Sequence, residues 1–133
     1  MALQVEPITP DFVAAVSGID LTKPLAREQV DEIERTIWQY GVLLFRGQPV
    51  SQEEQIRFAE YFGPFDPGLQ TKLTNKVQDR LKHAAVTDIS NVDASGNIAD
   101  KSHKQAMMNV GNMFWHSDAS YEHHPFRYSI LAA

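Results

Sequence analysis

The chain has 133 residues, a net charge of −5 and no cysteine. Its length is that of one domain or less, and 43% hydrophobic against 22% charged residues is the balance of a folded protein, not a disordered one. The composition excludes a disulfide scaffold, an iron–sulfur cluster and any thiolate metal site; its mild acidity argues against a nucleic-acid partner, and no apolar run approaches the ~20 residues that cross a bilayer.

The N-terminus, Met1 to Pro7, has neither a basic segment nor an apolar core of the kind found in signal peptides, so a cytoplasmic location is expected. Residues 1–20 read as a short β-rich lead-in. Leu25 to Tyr40 reads as a helix: Val30, Ile33, Ile37 and Tyr40 share one stripe, while Glu28, Asp31, Glu32 and Arg35 face away. Pro24 lies near its start, and Gly41 occupies the position just past its end. Val42-Leu43-Leu44-Phe45 is a continuous apolar run, expected as a buried strand. In Arg46-Gly47-Gln48-Pro49 the chain turns; Gly47 would permit the turn and Arg46 would pair with an acid.

A second helix is predicted from Ser51. Ser51 and Glu54 have the S-x-x-E spacing of a capping box, which satisfies two otherwise orphaned amide donors. Phe58 and Phe62 lie four apart on one face, with Ile56 and Ala59 close by, and Gly63-Pro64 ends the helix. Residues 64–82 are polar and read as a long surface loop, a length often given to lids or binding loops. Ala84 to Ile89 is predicted as a short strand, Asp93 to Asn97 as a turn, and Met113 to Asp118 and Tyr128 onward as strands. Two helices followed mostly by strands indicate an α+β protein or a β-barrel with helical decoration. The chain stops in Arg127-Tyr128-Ser129-Ile130-Leu131-Ala132-Ala133, an apolar run with no turn or polar tail after it. A fragment is the expectation; a docked C-terminal strand is the other reading.

The sharpest local candidate for chemistry is His116-Ser117-Asp118. Along a strand, positions i and i+2 share a face, ~6.6 Å apart, so an imidazole and a carboxylate converge. They would supply two ligands of a two-histidine, one-carboxylate triad, which leaves open positions on a metal such as ferrous iron. The spacing alone is weak. With 5 histidines and 17 acids, one such match arises by chance about as often as not. A surface pair or a hydrogen-bonded histidine is the commoner meaning.

The surrounding residues add weight. The run Asn112-Met113-Phe114-Trp115-His116-Ser117-Asp118-Ala119-Ser120-Tyr121 resembles the metal-binding strand of the TauD/TfdA group of Fe(II)- and 2-oxoglutarate-dependent dioxygenases. Four further blocks agree in order: Val42 to Gln48, Phe62-Gly63-Pro64, Asp88-Ile89-Ser90-Asn91-Val92 and Arg127 to Leu131. Within the group, the Trp-His-Ser-Asp and Asp-Ile-Ser-Asn-Val runs are most similar to the branch acting on aryloxyacetates, and less so to the taurine branch.

The resemblance implies a fold class of α+β: a double-stranded β-helix (jelly roll, cupin-like) with outer helices. Residues 1–133 would be the N-terminal part of one such domain. It implies Fe(II) as metal, 2-oxoglutarate as cosubstrate and dioxygen as oxidant, with His116 and Asp118 as two of three iron ligands. The third histidine and the 2-oxoglutarate-binding residues are expected beyond Ala133. His123 and His124 are alternative donors, though solvent-facing loop positions suit them better. Asn112 matches a substrate-contacting amide or a turn cap. Lys72, or Thr71 if the alignment slips by one, matches a side chain near the substrate carboxylate; a solvated loop lysine is the other reading. Ile89, Ser90 and Asn91 would line the pocket or simply pack, and Met107, Met108 and Met113 are filler.

The implied reaction is hydroxylation of a small carboxylic acid such as an aryloxyacetate (2,4-dichlorophenoxyacetate-like). It would give succinate, carbon dioxide, a phenol and glyoxylate. A sulfonate such as taurine, or a non-catalytic fragment of the same fold, are the alternatives. A zinc hydrolase lacks a visible third ligand and a general base. The expected partners are the acid substrate and dioxygen, with no nucleic acid and no membrane. A homo-oligomer stays open.

Overall fold

The computed structural model describes residues 3–64, 81–93, 95–98, 114–120 and 122–133. The chain divides into two compact units, Met1–Phe65 with Ala132, and Asp66–Leu131 with Ala133.

The first unit is built on a three-stranded sheet: β1 (Gln4–Pro7), β2 (Val13–Ser17) and β3 (Val42–Leu44), in that spatial order. β1 and β2 form an antiparallel hairpin in which Val5 faces Val16. Val13 closes its turn, accepting from the amides of Ile8 and Thr9, while its own amide donates to the Thr9 hydroxyl at 2.9 Å. Pro7, which has no amide to donate, sits at the end of the edge strand. β2 and β3 run parallel, Ala14 beside Leu43. Parallel neighbours need a crossover, and helix α1 (Arg27–Tyr40) supplies it.

Helix α1 forms where the apolar stripe predicts it. Val30, Ile33 and Tyr40 are buried, together with Ala14 and Val16 of β2. Ile37 is only half-buried. Thr36 is buried on the helix and satisfies its hydroxyl by donating to the Glu32 carbonyl at 2.7 Å. At the start, the Gln29 side chain accepts from the Ala26 amide at 2.9 Å. At the end, Gly41 takes a φ of 77°, and its amide donates to the Ile37 carbonyl.

Helix α2 (Gln52–Glu60) opens with the predicted capping box: Ser51 Oγ accepts from the Glu54 amide at 3.2 Å, and Glu54 Oε2 accepts from the Ser51 amide at 2.7 Å. Phe58 is buried and meets Phe45 and Phe62 edge-on, at centroid separations of 5.7 and 5.2 Å. Gly63 follows the helix with a φ of 126°. Between the helices, Gln48 clamps the loop after β2: its Oε1 accepts from the Leu21 amide at 3.0 Å and its Nε2 donates to the Ile19 carbonyl at 2.9 Å. The Arg57 guanidinium donates to the Leu21 carbonyl, and Tyr61 Oη accepts from the Leu25 amide.

Two expectations for this unit change. Val42-Leu43-Leu44 is a strand but not a buried one; Val42 and Leu44 share the face opposite to that of Leu43, which pairs with the buried Ala14, and both are exposed. Gly47 makes its turn at a φ of 65°, but the Arg46 ion pair is not among those formed between described residues.

The second unit has no helix and no multi-residue strand among its described residues. The predicted turn at Asp93 is present: its carboxylate accepts from the amides of Ser95 and Asn97, both at 2.9 Å, and a single antiparallel bridge joins Val92 to Ile98. Ala84 to Ile89, the described end of Met113 to Asp118, and Tyr128 onward are not strands. A strand exists only where a neighbour takes up its amides and carbonyls in register, and a segment's own composition does not specify that neighbour. Thus the described residues are α+β, one small sheet with two helices, and do not themselves form a roll. Among them, no helix is long and apolar enough to cross a membrane.

Candidate metal centre

His116 and Asp118 come together by a route other than the pleat of a strand. His116 and Ser117 are irregular, and the chain turns through Asp118, Ala119 and Ser120. The turn puts Ala119 in the left-handed region at a φ of 54°, the one non-glycine residue there among those described. An L-residue takes that conformation at a cost of ~1–2 kcal/mol. Ala119 is nevertheless buried, and its carbonyl accepts from the Glu122 amide at 2.9 Å, which closes the turn.

The result is a convergent pair. His116 Nε2 lies 3.3 Å from Asp118 Oδ1, with both side chains about half-exposed. The other ring nitrogen, Nδ1, is 2.7 Å from the Phe114 carbonyl. A carbonyl accepts and cannot donate, so Nδ1 carries the proton. Nε2 then faces the carboxylate with either a second proton, which makes an ion pair, or a lone pair. A lone pair against a carboxylate is repulsive unless a cation sits between them. On the far side of the carboxylate, the Ser129 hydroxyl donates to Asp118 Oδ2 at 2.5 Å.

This donor set suits a divalent metal. Two donors at right angles, each about 2.1 Å from an ion, stand about 3 Å apart, close to the separation found. An imidazole nitrogen with a carboxylate oxygen suits borderline metals such as ferrous iron, and a backbone carbonyl on the opposite ring nitrogen is the usual support of a ligating histidine. Among the described residues no third His, Asp or Glu joins the pair. His123 and His124 pack edge-on against each other, ring centroids 5.4 Å apart, and both are exposed.

Of the other predicted residues, Asn112, Lys72, Thr71, Met107, Met108 and Met113 lie outside the described residues. Ile89 is exposed, Ser90 half-buried and Asn91 exposed. The sequence reading missed Ser129 and Ala119. A hydroxyl inside the apolar run Tyr128-Ser129-Ile130-Leu131 was the available signal for the first; nothing in an alanine announces a left-handed turn.

The chain belongs to the TauD/TfdA family: the model for "Taurine catabolism dioxygenase TauD, TfdA family" matches residues 4–133. It is 41% identical over 133 residues to the alpha-ketoglutarate-dependent 2,4-dichlorophenoxyacetate dioxygenase of Cupriavidus pinatubonensis, matching all of this chain and 46% of that protein. It is 30% identical over 122 residues to the (S)-phenoxypropionate/alpha-ketoglutarate-dioxygenase of Sphingobium herbicidovorans, covering 90% of this chain and 36% of that protein. The chain thus spans less than half the length of these relatives. The crystal structure of AAD-2 in complex with Mn(II) and N-oxalylglycine superposes with a TM-score of 0.81 at 34% identity, over 94% of this chain and 43% of that one.

Proposed function

We propose that residues 1–133 are the N-terminal part of a single jelly-roll dioxygenase domain in which His116 and Asp118 are two of three ligands to Fe(II). The reading makes the whole protein a cytoplasmic 2-oxoglutarate-dependent enzyme that hydroxylates a small acid of the aryloxyacetate type. The observation that carries it is the 3.3 Å approach of His116 Nε2 to Asp118 Oδ1, within a chain of this family. The 2,4-dichlorophenoxyacetate and phenoxypropionate dioxygenases among its relatives support the substrate class. Mn(II) and N-oxalylglycine in AAD-2 support a divalent metal with an oxalyl-containing acid beside it.

When bound, the metal supplies a centre at which dioxygen and 2-oxoglutarate react together, so that cosubstrate decarboxylation is coupled to substrate hydroxylation. The residues of this chain prepare that centre. The Phe114 carbonyl fixes the His116 tautomer, and so presents Nε2 as a donor. Asp118 contributes one negative charge toward the same point. Asn112 and Lys72 would contact the substrate, the lysine opposite its carboxylate. Hydroxylation of an aryloxyacetate carbon beside the acid group yields a hemiacetal, which collapses to a phenol and glyoxylate.

The test is 2-oxoglutarate consumption by the full-length protein with Fe(II), offered aryloxyacetates and taurine in parallel. Succinate and phenol release from the aryloxyacetate, lost in His116→Ala and Asp118→Ala, is expected. Succinate release coupled to taurine alone would overturn the substrate class, and release undiminished in both variants would overturn the site.

A further inference from the structure

We propose that Ser129 is a positioning residue for Asp118: its hydroxyl holds one carboxylate oxygen, so that the ligand offers only the other to the metal. The inference rests on the reading of His116 and Asp118 as metal ligands.

Ser129 lies eleven residues beyond Asp118, so the contact is made by the fold and not by a local turn. Its Oγ is 2.5 Å from Asp118 Oδ2, at the short end of the range for a hydroxyl donating to a carboxylate. Oδ1 is the oxygen that faces His116 Nε2. The two oxygens of one carboxylate are therefore assigned to different tasks. A carboxylate free to rotate can bind a metal through both oxygens, as carboxylates do on larger cations. On a six-coordinate ion that second bond would consume one of the three positions that a two-histidine, one-carboxylate set leaves for small ligands. With Oδ2 donated to by Ser129, monodentate binding through Oδ1 is favoured.

Two effects of the hydroxyl oppose each other. It draws charge from the carboxylate, which weakens the donor slightly. It also removes the freedom of the side chain before the metal arrives. Outer partners of metal ligands are typically worth 10–100-fold in affinity, so the ordering effect should dominate.

The experiment is titration of the full-length apoprotein with Co(II), read by its d–d absorption spectrum, for the wild type and Ser129→Ala, Ser129→Thr, His116→Ala and Asp118→Ala. Ser129→Ala is expected to bind Co(II) at least about tenfold more weakly and with a changed spectrum. Ser129→Thr, which keeps the hydroxyl at an exposed position, is expected to restore both. A Ser129→Ala variant with wild-type affinity and spectrum, whatever its melting temperature, overturns the proposal. So does Ser129→Thr behaving like Ser129→Ala, because the hydroxyl is then not the cause. If His116→Ala and Asp118→Ala bind Co(II) as the wild type does, the ligand reading itself has failed.

Discussion

His116 turns one ring nitrogen to the Phe114 carbonyl and the other to Asp118, 3.3 Å from its Oδ1. This arrangement depends on the backbone immediately after it. Ala119 is buried and left-handed at a φ of 54°. A β-branched side chain tolerates that conformation worse than alanine does. Ala119→Val should therefore destabilise the fold by more than about 1 kcal/mol and weaken metal binding with it. Ala119→Gly removes the steric cost while losing a buried methyl and adding chain entropy, and should stay within about 1 kcal/mol of the wild type. Urea denaturation of the three proteins checks both values.

The Gln48 amide is the corresponding fixed point of the first unit. It satisfies the Leu21 amide and the Ile19 carbonyl in a partly buried loop. Gln48→Ala leaves both groups without this partner and should cost about 1–3 kcal/mol. Gln48→Glu should not rescue the loss, because a carboxylate in place of Nε2 faces the Ile19 carbonyl and cannot donate to it. A Gln48→Glu variant as stable as the wild type would show that the clamp contributes little.

Stability at acid pH should carry a signature of Asp20. The Lys23 ammonium 2.9 Å away, with the Thr22 hydroxyl and amide, lowers the Asp20 pKa from 3.8 to about 2. The folded state thus prefers the carboxylate, so the contribution is complete above 3.8 and is lost as the pH falls through about 2. At the alkaline end the same pair raises the Lys23 pKa above 10.5, and the contribution fades as the pH climbs past it. The pair is exposed and the effect small. The melting-temperature difference between wild type and Asp20→Asn should shrink toward zero across the acid window. A difference independent of pH would contradict this assignment.

The helices were readable because their determinants are local. Val30, Ile33 and Tyr40 repeat at helical spacing, Ser51 and Glu54 cap one another three residues apart, and Gly41 stops a helix through its own φ. The strands expected at Ala84 to Ile89 and from Tyr128 onward depend on partners elsewhere in the chain, which their composition does not specify, and neither segment is a strand. The site divides in the same way. A spacing of two, with the flanking run from Asn112 to Tyr121, nominated His116 and Asp118, although a turn rather than a pleat brings them together. Ser129 reaches Asp118 across eleven residues, a contact that periodicity cannot foresee. Exposure of Val42 and Leu44 was not legible because a continuous apolar run does not say which of the two sheet faces is covered.

The proposed chemistry requires that His116 and Asp118 jointly bind a divalent cation. Mn(II) binding to the full-length protein, followed by loss of the free-ion electron paramagnetic resonance signal, measures this without any turnover. One bound ion per chain is expected, with affinity lower in either His116→Ala or Asp118→Ala by more than the ~10-fold that loss of an outer partner costs, and lower still in the double variant. Mn(II) affinity unchanged in both single variants, with the fold intact by circular dichroism, would contradict it.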